Sequence, residues 1–147
     1  MILRKFDLVK RGIDAIKKSY KGFILWIVFF NLITFGTVFL PIEDGALMTR
    51  IVLNICTASI VVLTFMIYKT EFVYWYNGTT YEEAVQAGSE RRKLFAFRHF
   101  KKFAIFAILY LVSSIIFHLL QLGIWIDIIL VTIGSILTAI STIKIKL

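Results

Sequence analysis

The chain has 147 residues, enough for one small domain. Hydrophobic residues make up 59% of it, against about 45–50% in soluble domains. With 14 Phe and one Pro, that excess excludes a disordered chain and argues against a soluble globule. Seventeen basic and nine acidic residues give a formal charge of +8, which suits either nucleic acid or the anionic face of a membrane, and the distribution of the cations decides between them. The only cysteine, Cys56, lies inside an apolar run, so neither an intrachain disulfide nor a paired-cysteine zinc site can form.

Residues 1–21 have the pattern of an amphipathic helix. Ile2, Phe6, Val9, Ile13, Ile16 and Tyr20 recur at spacings of four and three, with basic residues over the rest of the surface. Joined directly to an apolar span, such a helix is expected to lie on the inner membrane surface.

Four stretches are long enough to cross a bilayer: 22–40, 51–68, 103–120 and 124–143. Each holds 18 to 20 residues, about 27–30 Å as helix, which matches the hydrocarbon thickness. They do not alternate with period two, which excludes a membrane β-barrel. Short connections join the first pair and the second pair. Gly123 is expected to stop the third helix.

Orientation follows from the cations. Seven precede the first span, seven lie between the second and third, and two are in the tail at 144–147. The remaining connections hold only Arg50. Sixteen against one places both termini and the loop 69–102 in the cytoplasm. The expected fold is therefore an all-α integral membrane protein of the plasma membrane. It is a four-transmembrane-helix bundle, N-in and C-in, with an N-terminal surface helix and a basic cytoplasmic helical loop.

That loop opens on Phe72, Tyr74, Trp75 and Tyr76, an aromatic set suited to the headgroup zone. Thr80 and Glu83 have capping-box spacing, so a helix is expected to begin there, with a break at Gly88-Ser89. Arg91, Arg92, Lys93, Arg98, Lys101 and Lys102 then lead into the third span. Interleaved with Phe95, Phe97 and Phe100, they suit anionic headgroups or a cytoplasmic partner. Arg–Phe stacking on nucleic acid would use the same residues, but a bilayer already explains them.

Polar residues inside the spans are the best functional candidates. In the third span Ala104, Ala107, Leu111, Ser114, His118 and Gln121 follow helical spacing. In the fourth, Asp127, Gly134, Ser135, Thr138, Ser141 and Thr142 share one face, expected either to pack on protein or to line a pathway. Asp127 and His118 flank the same turn at similar depth. Three roles are open to them: an Asp–His clasp closed by Gln121, a pH switch through His118, or one end of a polar path. Asn31 and Ser59 lie at matching depth in the first two spans and are expected to bond between helices.

HExxH, GxSxG, P-loop and GxGxxG patterns are all absent from the sequence. No catalytic, cofactor-binding or metal-ligating residues are assigned. The expectation is a non-enzymatic accessory, regulatory or immunity-type subunit of another membrane protein. The alternative is a homo-oligomeric channel or transporter lined by the polar face of the fourth span. The partners implied are the bilayer with its anionic headgroups, and either another membrane protein or further copies of this chain.

Overall fold

The computed structural model describes residues 16–76 and 78–147. Among these the only regular secondary structure is helical, with no strand, and four helices are long and apolar enough to cross a membrane. Helix α1 spans Lys21–Gly36 and continues as a 3-10 turn, Thr37–Phe39, before Pro41. Helix α2 spans Gly45–Thr70, α3 Tyr81–Leu119 and α4 Ile124–Ile143. A second 3-10 turn, Val73–Trp75, lies between α2 and α3. The molecule thus has a turn end, holding residues 40–44 and 120–123, and a loop end, holding 71–80 and the C-terminal residues.

Local chemistry sets the helix boundaries. Asp44 caps α2, its Oδ1 accepting the amides of Ala46 at 2.8 Å and Leu47 at 3.2 Å. Thr80 and Glu83 form a reciprocal capping box on α3, at 3.1 and 2.8 Å. Helix α3 is two helices across a kink at Gly88, whose φ of +77° and ψ of 161° favour glycine.

The stop of α3 differs from the expectation. Gln121 rather than Gly123 takes the left-handed position, at φ +53°. The Leu122 amide reaches the Phe117 carbonyl at 2.9 Å and the Gln121 amide reaches that of His118 at 3.0 Å, the paired bonds of a Schellman ending. Gly123 is extended and stands at the N-cap of α4.

Helices α2, α3 and α4 pack on one another, and α1 lies against α2. No residue of Lys21–Gly36 is buried. Apolar side chains such as Leu32, Phe35, Leu109, Trp125 and Leu137 are exposed along the helices. In water, each such side chain left unburied would forgo about 1.5–3 kcal/mol, so lipid is the solvent that this surface fits.

The apolar core sits at the loop end. Ile67, Val73, Tyr74, Ala84, Phe95 and Ala96 are buried together, with Phe72 and Trp75 packed against them. The aromatic set expected among headgroups is therefore partly interior. It also captures the chain entering α1. Tyr74 and Trp75 donate to the Ser19 carbonyl at 2.9 and 3.1 Å, and Tyr81 donates to that of Ile16. Residues 16–20 consequently run without helix, correcting that part of the helix expected over 1–21, while 1–15 lie outside the described residues.

Candidate functional site

The turn end holds a buried ion pair that joins α2 to α4. Arg50 Nε donates to Asp127 Oδ2 at 2.9 Å, with the side chains 6% and 0% exposed. The guanidinium also donates through Nη2 to the Leu122 carbonyl, tying α2 to the α3–α4 turn. One turn deeper, Asn54 Nδ2 donates to the Arg50 carbonyl at 2.8 Å and to Ser114 Oγ at 3.0 Å, which brings in α3. The buried Tyr110 hydroxyl and the carboxylate oxygen Asp127 Oδ1 have no hydrogen-bond partner among the described residues. Three helices are thus joined by a polar cluster surrounded by hydrocarbon side chains.

This arrangement corrects the expected clasp. Asp127 pairs with Arg50, while His118 and Gln121 are exposed at the turn end. A guanidinium is always charged and offers several donors in a fixed plane, so it outcompetes an imidazole for a carboxylate withdrawn from water. Arg50 was the residue missed. Its signal was present, because the lone cation of the turn end lies at the depth of the lone acid inside a span.

The face of α4 expected to pack or to line a pathway turns toward α3. A Cβ at Gly134 would run into the Phe106 ring, so the helices approach closely there. Ser135 and Thr138 on this face are half-buried. Ser141 and Thr142 turn their hydroxyls to the carbonyls of Thr138 and Ala139 within α4. Asn31 and Ser59 do not bond to each other. Asn31 donates to Ile27 and Ser59 to Cys56, each inside its own helix. The link between α1 and α2 is instead the Trp26 indole, donating to the Ser59 carbonyl at 2.9 Å. A hydroxyl or amide in a helix reaches its own preceding carbonyl more readily than a neighbouring helix one side-chain length away.

A groove of about 710 Å³ opens between α2 and α3. On α2 it runs from Leu47 to Val62, about 22 Å at 1.5 Å per residue. Its walls are apolar and low where Ala58, Ala104 and Ala107 lie. Its polar residues are Arg50, Asn54, Thr57, Ser114 and, at the turn end, His118. The third-span stripe picked out by helical spacing forms one wall of this groove, from Ala104 to His118.

At the loop end Glu71 organises the basic segment. It ends α2 in the left-handed region at φ +61°. Its carboxylate accepts from Ser89 at 2.8 Å and from Arg92 at 3.1 Å, and Lys93 lies 3.3 Å away. Arg92 also donates to the Ala84 carbonyl at 3.0 Å, and only 2% of it is exposed. Arg92 therefore braces the kinked helix and does not face headgroups or a partner, which corrects its expected role. Lys93 is exposed beside Glu71, and Arg91, Arg98 and Lys101 are exposed as well. The Lys102 ammonium donates to the Ser141 carbonyl and caps the end of α4.

Burial acts on the ionisable groups of this end. For Glu71 burial works upward, but the hydrogen bonds from Ser89, Arg92 and Lys93, with the Arg92 charge, outweigh it and hold the carboxyl below its usual range. His99, buried and stacked 4.5 Å from Tyr76, donates through Nδ1 to the Phe95 carbonyl at 2.9 Å. Desolvation lowers its pKa, against that hydrogen bond and with the help of Lys102. Burial also raises the Tyr76 phenol.

No cluster of three metal-ligating acids, histidines or cysteines occurs among the described residues. No protein-family model matches the chain, and no curated protein or solved structure shows significant similarity to it.

Proposed function

We propose that this chain is a multi-pass plasma-membrane protein that serves, without catalysis of its own, as an accessory or regulatory subunit of another membrane protein. Both termini and the loop end face the cytoplasm in this reading, as the sixteen-to-one cation bias supports. The observation that carries it is the α2/α3 groove. Its length covers most of a hydrocarbon layer, small alanines let another backbone approach, and Asn54 offers an amide oxygen that accepts no bond among the described residues. A polar residue on an incoming helix can satisfy that oxygen, and an acyl chain cannot. An immunity-type role, in which the groove occupies a segment of a harmful membrane protein, uses the same surface.

The channel reading needs the small and hydroxylated face of α4 to line a path. That face turns toward α3, and Asp127 is engaged by Arg50. These contacts favour the accessory role.

Photo-crosslinking in native membranes tests the proposal. A crosslinker at Ala107 or Val62 is expected to give one adduct with a different membrane protein. The same group at Leu137, on the exposed side of α4, is expected to give only lipid adducts. Adducts solely with a second copy of this chain, or solely with lipid, from the groove positions would refute the accessory role. Ion flux that is lost in Asp127→Asn would support the channel instead.

A further inference from the structure

The loop end contains a second cavity, independent of the groove. A cleft of about 730 Å³ lies between the first turns of α3, the α3 segment after the kink, and the C-terminal residues. Arg91 and Lys146 line it, and neither makes an ion pair among the described residues. Thr79 and Gln86 add neutral hydrogen-bonding groups. Among the described residues the wall has one side-chain carboxylate, Glu83, and it is engaged by the Thr80 amide in the capping box. The wall's two cations are therefore left without an ion pair among the described residues, while its acidic side chain is already held in the capping box.

The position of the cleft matters as much as its charge. Thr142 and Ile143, the last residues of α4, form part of its wall, with Phe95 and Ile145 adding apolar surface. Lys102 caps the Ser141 carbonyl at the same level. Where an apolar span ends and ammonium groups begin, lipid phosphates are found. A cavity there presents cations to a headgroup and apolar wall to the glycerol and first methylenes.

We propose that this cleft is a site for one anionic phospholipid, with Arg91 and Lys146 holding its phosphate. Arg91 offers a planar fork matched to two phosphate oxygens, and Lys146 adds a point charge. The site selects anionic over zwitterionic lipid because a zwitterionic headgroup brings its own ammonium against these cations.

Native mass spectrometry of the whole protein in neutral detergent tests this. Phosphatidylglycerol and phosphatidylcholine of identical chains compete at equal concentration. One phosphatidylglycerol is expected to be retained per chain, with a preference on the order of tenfold from two cations. The Arg91→Gln/Lys146→Gln variant is expected to lose that preference while keeping its melting temperature. Arg98→Gln/Lys101→Gln removes equal charge from exposed positions outside the cleft and is expected to keep it. Equal loss in both variants would show diffuse attraction to basic surface and overturn the site. Displacement of the lipid by soluble glycerol 3-phosphate at matched concentration would assign the cleft to a free phosphate ester and overturn the lipid. The groove crosslinks report on a different surface, so the two proposals fail separately.

Discussion

The Arg50–Asp127 pair gives the sharpest test of how this molecule is held together. Its two side chains are 6% and 0% exposed, so neither charge has water to fall back on. Asp127→Leu leaves the guanidinium buried with, among the described residues, only the Leu122 carbonyl as partner. Breaking a buried pair in this way costs about 3–5 kcal/mol. Arg50→Leu leaves a carboxylate with no partner among the described residues and also releases Leu122 from α2, so its cost falls in the same range. Replacing both residues by Leu removes two desolvation penalties along with the attraction, and such exchanges are neutral or stabilising by about 1–4 kcal/mol. The second substitution is therefore expected to restore about 3 kcal/mol or more of what the first removed. Equilibrium unfolding of the four proteins in mixed micelles, titrated with a denaturing detergent and followed by circular dichroism, measures this as a double-mutant cycle. A coupling below about 0.5 kcal/mol would refute the claim that this pair fastens α2 to α4.

Three further outcomes follow from the packing and the loop-end charges. Gly134→Ala places a methyl group against the Phe106 ring and is expected to destabilise by about 1–3 kcal/mol in the same titration. Phe106→Leu should relieve most of that cost, and a mild Gly134→Ala would place the α3–α4 contact elsewhere. Gly88→Ala forces a side chain into a backbone region used almost only by glycine, so a loss of about 1–3 kcal/mol is expected in thermal melts. If Gly88→Ala raises stability, the kink is dispensable and α3 straightens. The Glu71 carboxyl titrates below its ordinary range in the folded protein, so its stabilisation is complete above the unfolded value of about 4.3 and is lost as pH falls through the lower folded value. Glu71→Gln is therefore expected to melt below the wild type at neutral pH and to converge with it in acid, and parallel melting curves across that window would contradict the ion-pair account.

Composition determined the solvent of this protein. Four apolar windows, each long enough to span the hydrocarbon layer, appear in the structure as helices long and apolar enough to cross a membrane, because every backbone polar group in such a window must be bonded within the segment. Capping chemistry was equally local, and Thr80 with Glu83 announced the start of α3 from three residues' spacing. The groove wall on α3 was also legible, since Ala104, Ala107, Ser114 and His118 fall together by helical periodicity alone.

Pairings between elements were decided only by the tertiary structure. Asp127 could be placed at its depth from the sequence, but the partner it takes, 77 residues away, depends on how α2 and α4 rotate about their axes. Arg92 looked like its basic neighbours, and the side of α3 on which it falls puts it on Glu71 at the end of α2. Tyr74 and Trp75 had the composition of a headgroup belt, yet the turn between α2 and α3 folds them onto Ile67, Phe95 and the chain at Ser19. Depth follows from hydropathy one residue at a time, whereas azimuth is set by side chains of several helices fitting together at once, and no single segment contains that information.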